Sequence, residues 1–557
     1  MIMQNNRYKP FVFSALAILC SLAAVQAQDP LKKQTIEITS AFKPEIKEAA
    51  KINFVAAPPV PDSAKPKFNY NIPITSLSLV YQPLAISPLA LSIDSASREW
   101  DATNFVKLGY GNLQTPFAQA GLSFNNSDNA NLSILAHYVS SKGKVPQYQE
   151  YTDAGASIYG STITAAKQEL YGKLSFDNDK YYLYGYDHSA YQFDKGDLLQ
   201  RFLTFDANIG FRNTEPTAFG LKYHPDIQLS FFNDNHNGKE FNAVADLPLE
   251  KAISEALSIK LGVNADYTQY SSNNTARTIN NSVITIPFAL KFRNENVNIQ
   301  GGVIPSWDNS AFKLLPDLLA DFKLGGEGLI VQLGWLMHYD KGSYKRFASI
   351  NPYLAQPAQL LNTRVNETFG GIKGTFLEHF FYNAKVGLVQ FYNMPLFVND
   401  YGAPGFPLAG NRFSIRNEEK LNAFQMHGEV GVVQAEDFSL TGRFNWLLFN
   451  KQKTEPQPWG ITPREFSAAL RWRVLKDLWF KSDLFFFEGA KYLKSDGGVD
   501  TGRHPVDLSA GLEFKITKQF NLWAQANNVF NNKYQRWNQY DVYGFNILGG
   551  IIYNFSK

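Results

Sequence analysis

The sequence is nearly free of cysteine and has little charge. Cys20 is the single cysteine among 557 residues, and charged residues make up 18% of the chain. This composition excludes a disulfide-stapled scaffold, a cysteine-ligated metal domain, a coiled coil and a disordered chain. The 53 basic and 50 acidic residues nearly cancel. Because the net field is weak, no nucleic-acid partner is expected.

Long apolar runs and catalytic motifs are also missing. Downstream of the N-terminus, no stretch approaches the roughly 20 apolar residues that a transmembrane helix requires. No metalloprotease, nucleophile-elbow, phosphate-loop or dinucleotide-binding fingerprint is found. Among the scattered histidines, His137, His224 and His427 are interpreted as polar lining rather than metal ligands. We therefore expect neither enzymatic activity nor a cofactor, and the substrate-binding residues stay unknown at this point.

One segment imitates the start of a calcium loop. It runs from Asn233 to Gly238, but its first ligand would be an amide, and Val244 at the twelfth position cannot coordinate a cation. Asn-Gly is a strong hairpin-turn dipeptide. The segment is therefore predicted to form a turn at Asn237 and Gly238.

The N-terminus has the three parts of a secretory signal peptide. Arg7 and Lys9 supply positive charge, residues 11–24 are apolar, and residues 25–27 form a small-residue cleavage site. A lipoprotein signal at Cys20 is disfavoured because Leu19 precedes it. Residues 1–27 are thus predicted to be removed on export, which leaves a mature chain with no cysteine.

From about residue 104 to the end, apolar residues alternate with polar or small ones. In one such run, Leu203, Phe205 and Ile209 alternate with Thr204 and Asp206. Each run covers about 9 to 11 residues, the length that a tilted strand needs to cross an outer membrane. Any single run also suits a soluble sandwich or a β-solenoid, whose strands are typically shorter. The whole set favours an all-β, transmembrane antiparallel β-barrel.

Connections between the runs are of two kinds. Short polar links are expected near positions 128, 178, 215, 251, 295, 325, 378, 435, 476 and 517. Longer connections are expected at residues 142–166, 343–363, 393–412 and 489–505. Outer-membrane barrels have short periplasmic turns and longer extracellular loops. Ten short turns predict about 22 strands, and a barrel of that size has a lumen too wide for side chains to fill.

The two faces of the strands are expected to carry different side chains. Mixed charges should line a water-filled or polar-packed lumen, and their pattern predicts selectivity for neither anions nor cations. In particular, three arginines should face charged residues of neighbouring strands: Arg443, Arg471 and Arg473 opposite Glu465, Asp507, Glu513 and Lys515. Aromatic residues near strand ends are typical of membrane-interface girdles. They include Trp472, Trp479, Phe480, Phe520, Trp523 and Tyr553.

The C-terminal end carries the most specific motif. It consists of an Asn-apolar-Phe-Asn-x-x-Tyr element and a final strand that ends in aromatic residues: Asn528, Phe530, Asn531, Tyr534, Tyr553 and Phe555. This end resembles that of TonB-dependent outer-membrane receptors. The resemblance implies that the last strand closes the barrel against the first. It also implies that the barrel-assembly machinery reads the terminal aromatic residue.

Residues 28–100 differ from the rest of the chain. Eight prolines fall between residues 41 and 100, which predicts extended, mostly irregular structure. A short segment resembles a TonB box, the strand that TonB captures in the receptors: Thr35, Ile36, Glu37, Ile38 and Thr39. The resemblance implies a plug domain of well over a hundred residues, and only 73 are available. This segment is expected to be either an abbreviated plug in the lumen or a periplasmic docking arm.

Together these features predict three parts: a signal peptide at 1–27, a proline-rich segment at 28–100 and the barrel at 101–557. We expect the protein in the bacterial outer membrane, where it serves solute uptake or porin-like passage. The alternative is a barrel that acts as a structural or assembly partner. The expected partners are outer-membrane lipid, the barrel-assembly machinery, and TonB or another outer-membrane or periplasmic protein.

Overall fold

The computed structural model describes residues 104–127, 129–143, 146–272, 278–377, 379–402, 409–434 and 437–555. The predicted signal peptide, the proline-rich segment and its TonB-box-like residues 35–39 lie outside this range. None of the described helices is long and apolar enough to cross a membrane.

Twenty-eight strands and one short helix make up the regular structure of the described residues. The strands are β1 (Asn104–Gly111), β2 (Thr115–Ser127), β3 (Ala130–Lys142), β4 (Glu150–Ile163), β5 (Gln168–Tyr182), β6 (Leu199–Asn213), β7 (Leu221–Tyr223), β8 (Asp226–Asp234), β9 (Lys239–Ala252), β10 (Leu257–Ser271), β11 (Ile279–Thr285), β12 (Phe288–Arg293), β13 (Val297–Asp308), β14 (Ala311–Lys323), β15 (Ile330–Asp340), β16 (Thr363–Phe376), β17 (Phe380–Asn399), β18 (Phe413–Gln434), β19 (Phe438–Gln452), β20 (Arg464–Leu475), β21 (Leu478–Phe487), β22 (Lys491–Leu493), β23 (Val499–Thr501), β24 (Val506–Lys515), β25 (Phe520–Asn527), β26 (Gln535–Trp537), β27 (Tyr540–Asp541) and β28 (Asn546–Phe555). The helix is α1 (Tyr344–Ile350).

The strands form one closed antiparallel barrel. Strand β28 pairs with β1 over the whole length of β1, from Asn104 opposite Phe555 to Gly111 opposite Leu548. We call each full crossing of the barrel wall a stave. Two staves are each built from two strands, because β7 and β8 both pair with β9, and β11 and β12 both pair with β10. Pro225 and Pro287 lie at these breaks, where their missing N–H groups interrupt the ladder. The described chain therefore forms 22 staves, as the sequence predicts.

The alternation places apolar side chains on the outer wall. Ile209 is 58% exposed and Leu388 is 61% exposed, whereas their polar neighbours along the strands point inward. An exposed apolar wall is stable only against another apolar medium, which is the surface a lipid bilayer offers. Trp472 and Phe520 follow the girdle prediction and lie on this wall. Trp523 does not, because it is buried inside the barrel against Leu548 and Ile552.

The connections differ between the two ends of the barrel. We call the end with ten short turns the turn end, and the opposite end the loop end. Nine short turns in the described chain lie where the sequence places them. The prediction near position 178 is wrong, because β5 continues through it and the turn is at residues 164–167. Asp177 and Asp179 are turn-favouring residues, but here they line the polar lumen.

Strand lengths also correct the sequence analysis. The expected long loop at residues 142–166 is wrong, because most of these residues form β4. Likewise β17 runs to Asn399, inside the expected loop 393–412. With 20 and 22 residues, β17 and β18 are much longer than a bilayer requires. Their extra length projects the barrel wall beyond the apolar belt at the loop end.

Candidate functional site

Four connections meet over the loop end of the barrel. They comprise residues 183–198, 341–362, 528–545 and the described parts of the connection after β17, 400–402 and 409–412, and their buried apolar side chains form one cluster. The connections 183–198, 341–362 and 528–545 leave the rim at points that lie eight, eight and six staves apart around the barrel. A barrel of this size has a backbone diameter of roughly 40 Å. Loops that start so far apart can touch only by crossing the mouth, so the cluster covers the lumen at this end.

Three tyrosines from three different loops form the centre of this cluster. The rings of Tyr353 and Tyr540 stack with their centroids 3.4 Å apart, and Tyr184 packs edge-on against both. All three are 2–4% exposed. The Tyr184 hydroxyl donates to the Asp541 carbonyl at 2.7 Å, and the Tyr540 hydroxyl donates to the Asn411 carbonyl. Burial raises the pKa of each phenol above its ordinary value, so the three rings stay neutral at physiological pH.

Helix α1 anchors the longest of these loops inside the mouth. The Glu240 carboxylate accepts the backbone N–H groups of Tyr344 and Lys345 at 2.5 and 3.2 Å, at the positive end of the helix. The Tyr344 hydroxyl donates to Asp234 at 2.7 Å. Its ring packs against Phe232 and other aromatic residues of the wall. A single short helix is thereby attached to β8 and β9 by apolar and polar contacts together.

The lumen wall beneath α1 is acidic. Carboxylates outnumber bases on the inward face from β4 to β10: Asp153, Glu169, Asp177, Asp179, Asp206, Asp226, Asp234, Glu240, Asp246, Glu250 and Asp266. The loop at residues 341–362 brings the opposite charge. Lys345 reaches Asp206 at 2.5 Å, and Lys341 reaches Asp266 at 3.1 Å. We call this region the acidic arc; opposite charge holds the loop against it.

The rest of the lumen carries paired charges of both signs. The predicted partners of the arginines are wrong, since Arg443 pairs with Glu429, Arg471 with Asp483, and Arg473 with Asp437. The alternation along the strands correctly predicted that these arginines face the lumen. The residue that each arginine meets depends on the register between neighbouring strands, which only the tertiary structure sets. Asp507 instead accepts a hydrogen bond from the Tyr534 hydroxyl.

Each of the three histidines predicted to line the lumen forms one side-chain hydrogen bond. His137 bonds Asp153 at 2.8 Å, His224 bonds the Tyr171 hydroxyl at 2.8 Å, and His427 bonds Asn445 at 2.7 Å. Within the described ranges, no group of three or more His, Cys, Asp and Glu side chains could hold a metal ion. At the calcium-loop imitation, Asp234 accepts the N–H groups of His236 and Gly238, and residues 235–238 form the turn between β8 and β9.

The C-terminal motif shapes the last loop and the seam of the barrel. Asn528 is buried and donates to the carbonyls of Asn532 and Tyr543, while Asn531 accepts the N–H of Phe545. The Tyr534 hydroxyl donates to Asp507 at 2.6 Å. Three aromatic members have other positions: Phe530 is exposed at the loop end, and Tyr553 and Phe555 pack together at the end of β28.

The loop cluster and α1 were not found by sequence reasoning. Tyr353 and Tyr540 are distant in sequence, and no local pattern indicates that they stack. The one available signal was the combination of Lys341, Lys345 and Arg346 in a loop with inward carboxylates on nearby strands. That combination has meaning only once the barrel places the two side by side.

Comparison with known proteins gives a clear result for the fold alone. No protein-family model and no curated protein matches the chain. Among solved structures, the FrpB iron transporter from Neisseria meningitidis (F3-3 variant) superposes with a TM-score of 0.62 at 9% identity, covering 81% of each chain. The siderophore receptor PirA from Acinetobacter baumannii gives 0.61 at 9% identity, covering 81% of this chain and 80% of the other.

A mutant of the ferric enterobactin receptor PfeA from Pseudomonas aeruginosa gives a TM-score of 0.60 at 11% identity, again covering 81% of this chain and 80% of the other. These coverages span the whole barrel rather than a few hairpins. The protein is therefore a closed 22-stranded barrel with the fold of the TonB-dependent siderophore receptors.

Proposed function

We propose that this protein lies in the bacterial outer membrane and carries a solute across it through the lumen. The observation that carries the proposal is the closed barrel with an apolar outer wall, a polar lumen and the fold of iron and siderophore receptors. In this placement the turn end faces the periplasm and the loop end faces the exterior, following the rule for outer-membrane barrels.

Solute entry requires the loop cluster to open. Withdrawal of the loop at residues 341–362 would remove Lys341 and Lys345 from the acidic arc, leaving Asp266 and Asp206 without their partners. A lumen lined by unpaired carboxylates attracts cations and repels anions. We therefore propose a solute that presents positive charge or a bound cation to this wall.

The N-terminal segment is assigned a regulatory part in this proposal. Residues 28–100 would occupy the lumen as an abbreviated plug or dock a periplasmic protein, with residues 35–39 as the strand offered to TonB. The C-terminal residues of β28 would be read by the barrel-assembly machinery, and the outer wall would contact membrane lipid. The fold comparison favours transport over a purely structural or assembly role. The similar structures are a transporter and a receptor, which supports the expectation that this protein has no catalytic activity.

Conductance in planar lipid bilayers tests the proposal. Three forms would be compared: the full mature chain, a chain lacking residues 28–100, and a full chain in which Tyr184, Tyr353 and Tyr540 are replaced by alanine. At least one of the last two should conduct more than the full chain, with a preference for cations. If all three forms insert as folded barrels and none conducts, solute passage through the lumen is wrong.

A further inference from the structure

A polar cleft of about 400 Å³ lies on the outer wall, near the loop end. Its walls include Tyr339, Arg364, Tyr392 and Lys420, from β15, β16, β17 and β18. On β16, even-numbered side chains face outward, as the 43% exposure of Ile372 indicates. Arg364 shares that parity and is paired with Tyr392 of β17. The cleft therefore opens to the surroundings of the barrel rather than into its lumen.

The height of the cleft places it at the upper edge of the apolar belt. Phe376 and Phe380 form an aromatic cluster with Tyr382 at the turn end of β16 and β17. Arg364 lies twelve residues further along β16. At about 3.3 Å per residue and a strand tilt of about 40°, this corresponds to roughly 30 Å along the barrel axis. An apolar belt is about 25 Å tall, so the cleft lies at the level of the lipid headgroups.

Two cations in the cleft lack an acidic partner. The Arg364 guanidinium lies 4.2 Å from the centre of the Tyr392 ring, and the Lys420 ammonium lies 5.5 Å from it. Neither forms an ion pair with any residue that the structure describes. The buried Nε of Arg364 likewise has no hydrogen-bond partner there. An arginine oriented by an aromatic ring presents its remaining donors as a fork suited to phosphate.

The acids of the cleft are already engaged. Glu419 pairs with Lys453, and Asp308 accepts a hydrogen bond from Asn362 at 2.7 Å. Their presence limits the excess positive charge, which suits one phosphate group rather than a polyanion. On the same face of β17, Gln390 lies next below Tyr392 and accepts a hydrogen bond from its hydroxyl, and the apolar wall begins one step further down with Leu388 and Val386. A ligand bound by Arg364 and Lys420 can thus rest an acyl chain on this wall.

We propose that Arg364, Lys420 and Tyr392 bind the phosphate of a lipid headgroup in the leaflet at the loop end of the barrel. The proposal rests on the outer-membrane placement given above, in which that leaflet contains phosphorylated glycolipid. Free phosphate offers the same chemistry to the two cations. The apolar wall below Gln390 and the sideways opening favour the lipid, because a soluble anion gains nothing from either.

Binding of lipid A to the purified full chain in detergent tests this site. Native mass spectrometry would compare wild type with the Arg364→Gln/Lys420→Gln variant. Loss of two charge-assisted contacts should weaken binding by about tenfold or more. The matched control is Lys494→Gln/Lys533→Gln, which removes two exposed lysines of other loop-end connections and should leave binding unchanged. Heat-dependent electrophoretic migration would verify that each variant is a folded barrel.

Two further arms identify the source of the phosphate. Lipid A stripped of its phosphates should bind at least tenfold more weakly to wild type, and inorganic phosphate should compete only at much higher concentration. Lys420→Glu provides a second variant that keeps Arg364 in place, and it should also weaken binding. Equal binding by wild type and the variants, or phosphate competing as well as lipid A, would overturn the proposal. These measurements do not involve conduction. A failure of the lipid-binding proposal can therefore be distinguished from a failure of the proposed solute passage.

Discussion

The two ends of the barrel connect the same strands in different ways, by short turns at one end and by long loops that pack together at the other. At the turn end, connections of two to seven residues join neighbouring staves, and each also accepts a backbone hydrogen bond from the adjoining strand, as the Glu327 carbonyl does from the Thr375 N–H. At the loop end, connections of up to 22 residues leave the rim and pack together into a buried cluster. The turn end is a set of short local structures, each joined only to strands next to it in the barrel wall by these backbone hydrogen bonds. The loop end is a cooperative structure, whose parts are stable only because distant parts are present.

This difference matters for the proposed passage of a solute through the lumen. A short turn fixes the register of two strands but leaves the lumen open beneath it. The loop cluster covers the lumen, yet it is fastened by a few tyrosine contacts, one helix and several ion pairs. Such a structure can open without disturbing the barrel wall. The following predictions separate the two ends by applying matched changes to each.

The largest effect is expected from truncating the tyrosine cluster. In the Tyr184→Ala/Tyr353→Ala/Tyr540→Ala variant, the loss of each ring should destabilise the closed state of the loop cluster by about 3 kcal/mol or more. The open population of the mouth should rise more than a hundredfold. Because the predicted mature chain has no cysteine, Ser157→Cys on the inward face of β4 supplies one thiol for labelling with a bulky, impermeant maleimide on whole cells.

The control makes three changes at the turn end, in the same single-thiol background. Leu324, Leu377 and Leu475 are strongly exposed there, and their replacement by serine should leave the labelling rate of the introduced thiol unchanged. A similar acceleration in both variants would show that labelling follows general loosening of the barrel, and the contrast between the ends would fail.

Alkaline pH should open the same cluster. The pKa values of Tyr184, Tyr353 and Tyr540 are raised by burial, so the closed state holds these protons more tightly than the open state. Closure is fully stable below the ordinary phenol pKa of about 10 and is lost as pH rises above it. Each tyrosine contributes about 1.4 kcal/mol per pH unit in that range.

Ultraviolet absorbance of phenolate measures this titration in the purified protein. In wild type, these phenols should ionise together with loop opening, well above the range of exposed tyrosines. The Tyr184→Phe/Tyr353→Phe/Tyr540→Phe variant keeps the rings and loses the titrating groups. Its mouth should stay closed at a pH that opens wild type; equal opening of both would assign the pH effect to other groups.

A smaller effect is expected from the helix anchor. Glu240→Ala leaves two backbone N–H groups of α1 without their acceptor and should cost about 2 kcal/mol of loop docking. Hydrogen exchange of residues 344–350 should accelerate about thirtyfold. Glu327→Ala is the turn-end counterpart: its exposed ion pair with Lys323 should contribute less than about 1 kcal/mol. Equal protection of α1 in wild type and Glu240→Ala would contradict an anchoring role.

The smallest contrast compares two tyrosine hydroxyls. Tyr534→Phe at the loop end removes a donor to the buried Asp507 carboxylate, and should lower the free energy of unfolding by about 2 kcal/mol. Tyr382→Phe at the turn end removes a half-buried bond to the Gly328 carbonyl and should cost about 1 kcal/mol or less. Urea unfolding in lipid vesicles gives both values, and a larger loss for Tyr382→Phe would reverse the expected order.

Sequence reasoning succeeded wherever one local rule operated. The outer wall faces an apolar medium and the inner wall a polar one. Apolar and polar residues therefore alternate with a period of two along the strands. Turn residues marked nine of the ten short turns. The miss near position 178 has a physical cause, since Asp177 and Asp179 have turn chemistry and lumen-lining chemistry at once. Only the pairing of β5 with β4 and β6 distinguishes the two.

Predictions that depended on distance were less successful. The arginine partners were assigned from parity, but Arg471 meets Asp483 because of the stagger between β20 and β21. Trp523 has the composition of a girdle residue, yet it lies inside the barrel beside Lys107 of β1. That contact exists because β28 joins β1 to β25, and no stretch of sequence contains both partners.

The amino-acid sequence by itself thus determined the barrel, its number of staves and the apolar character of its outer wall, since these follow from local alternation and turn chemistry. Tertiary structure decided the closure of the mouth, the acidic arc beneath α1 and the cleft around Arg364. Each of these joins residues from several staves, and their distances depend on the radius, tilt and stagger of the closed barrel.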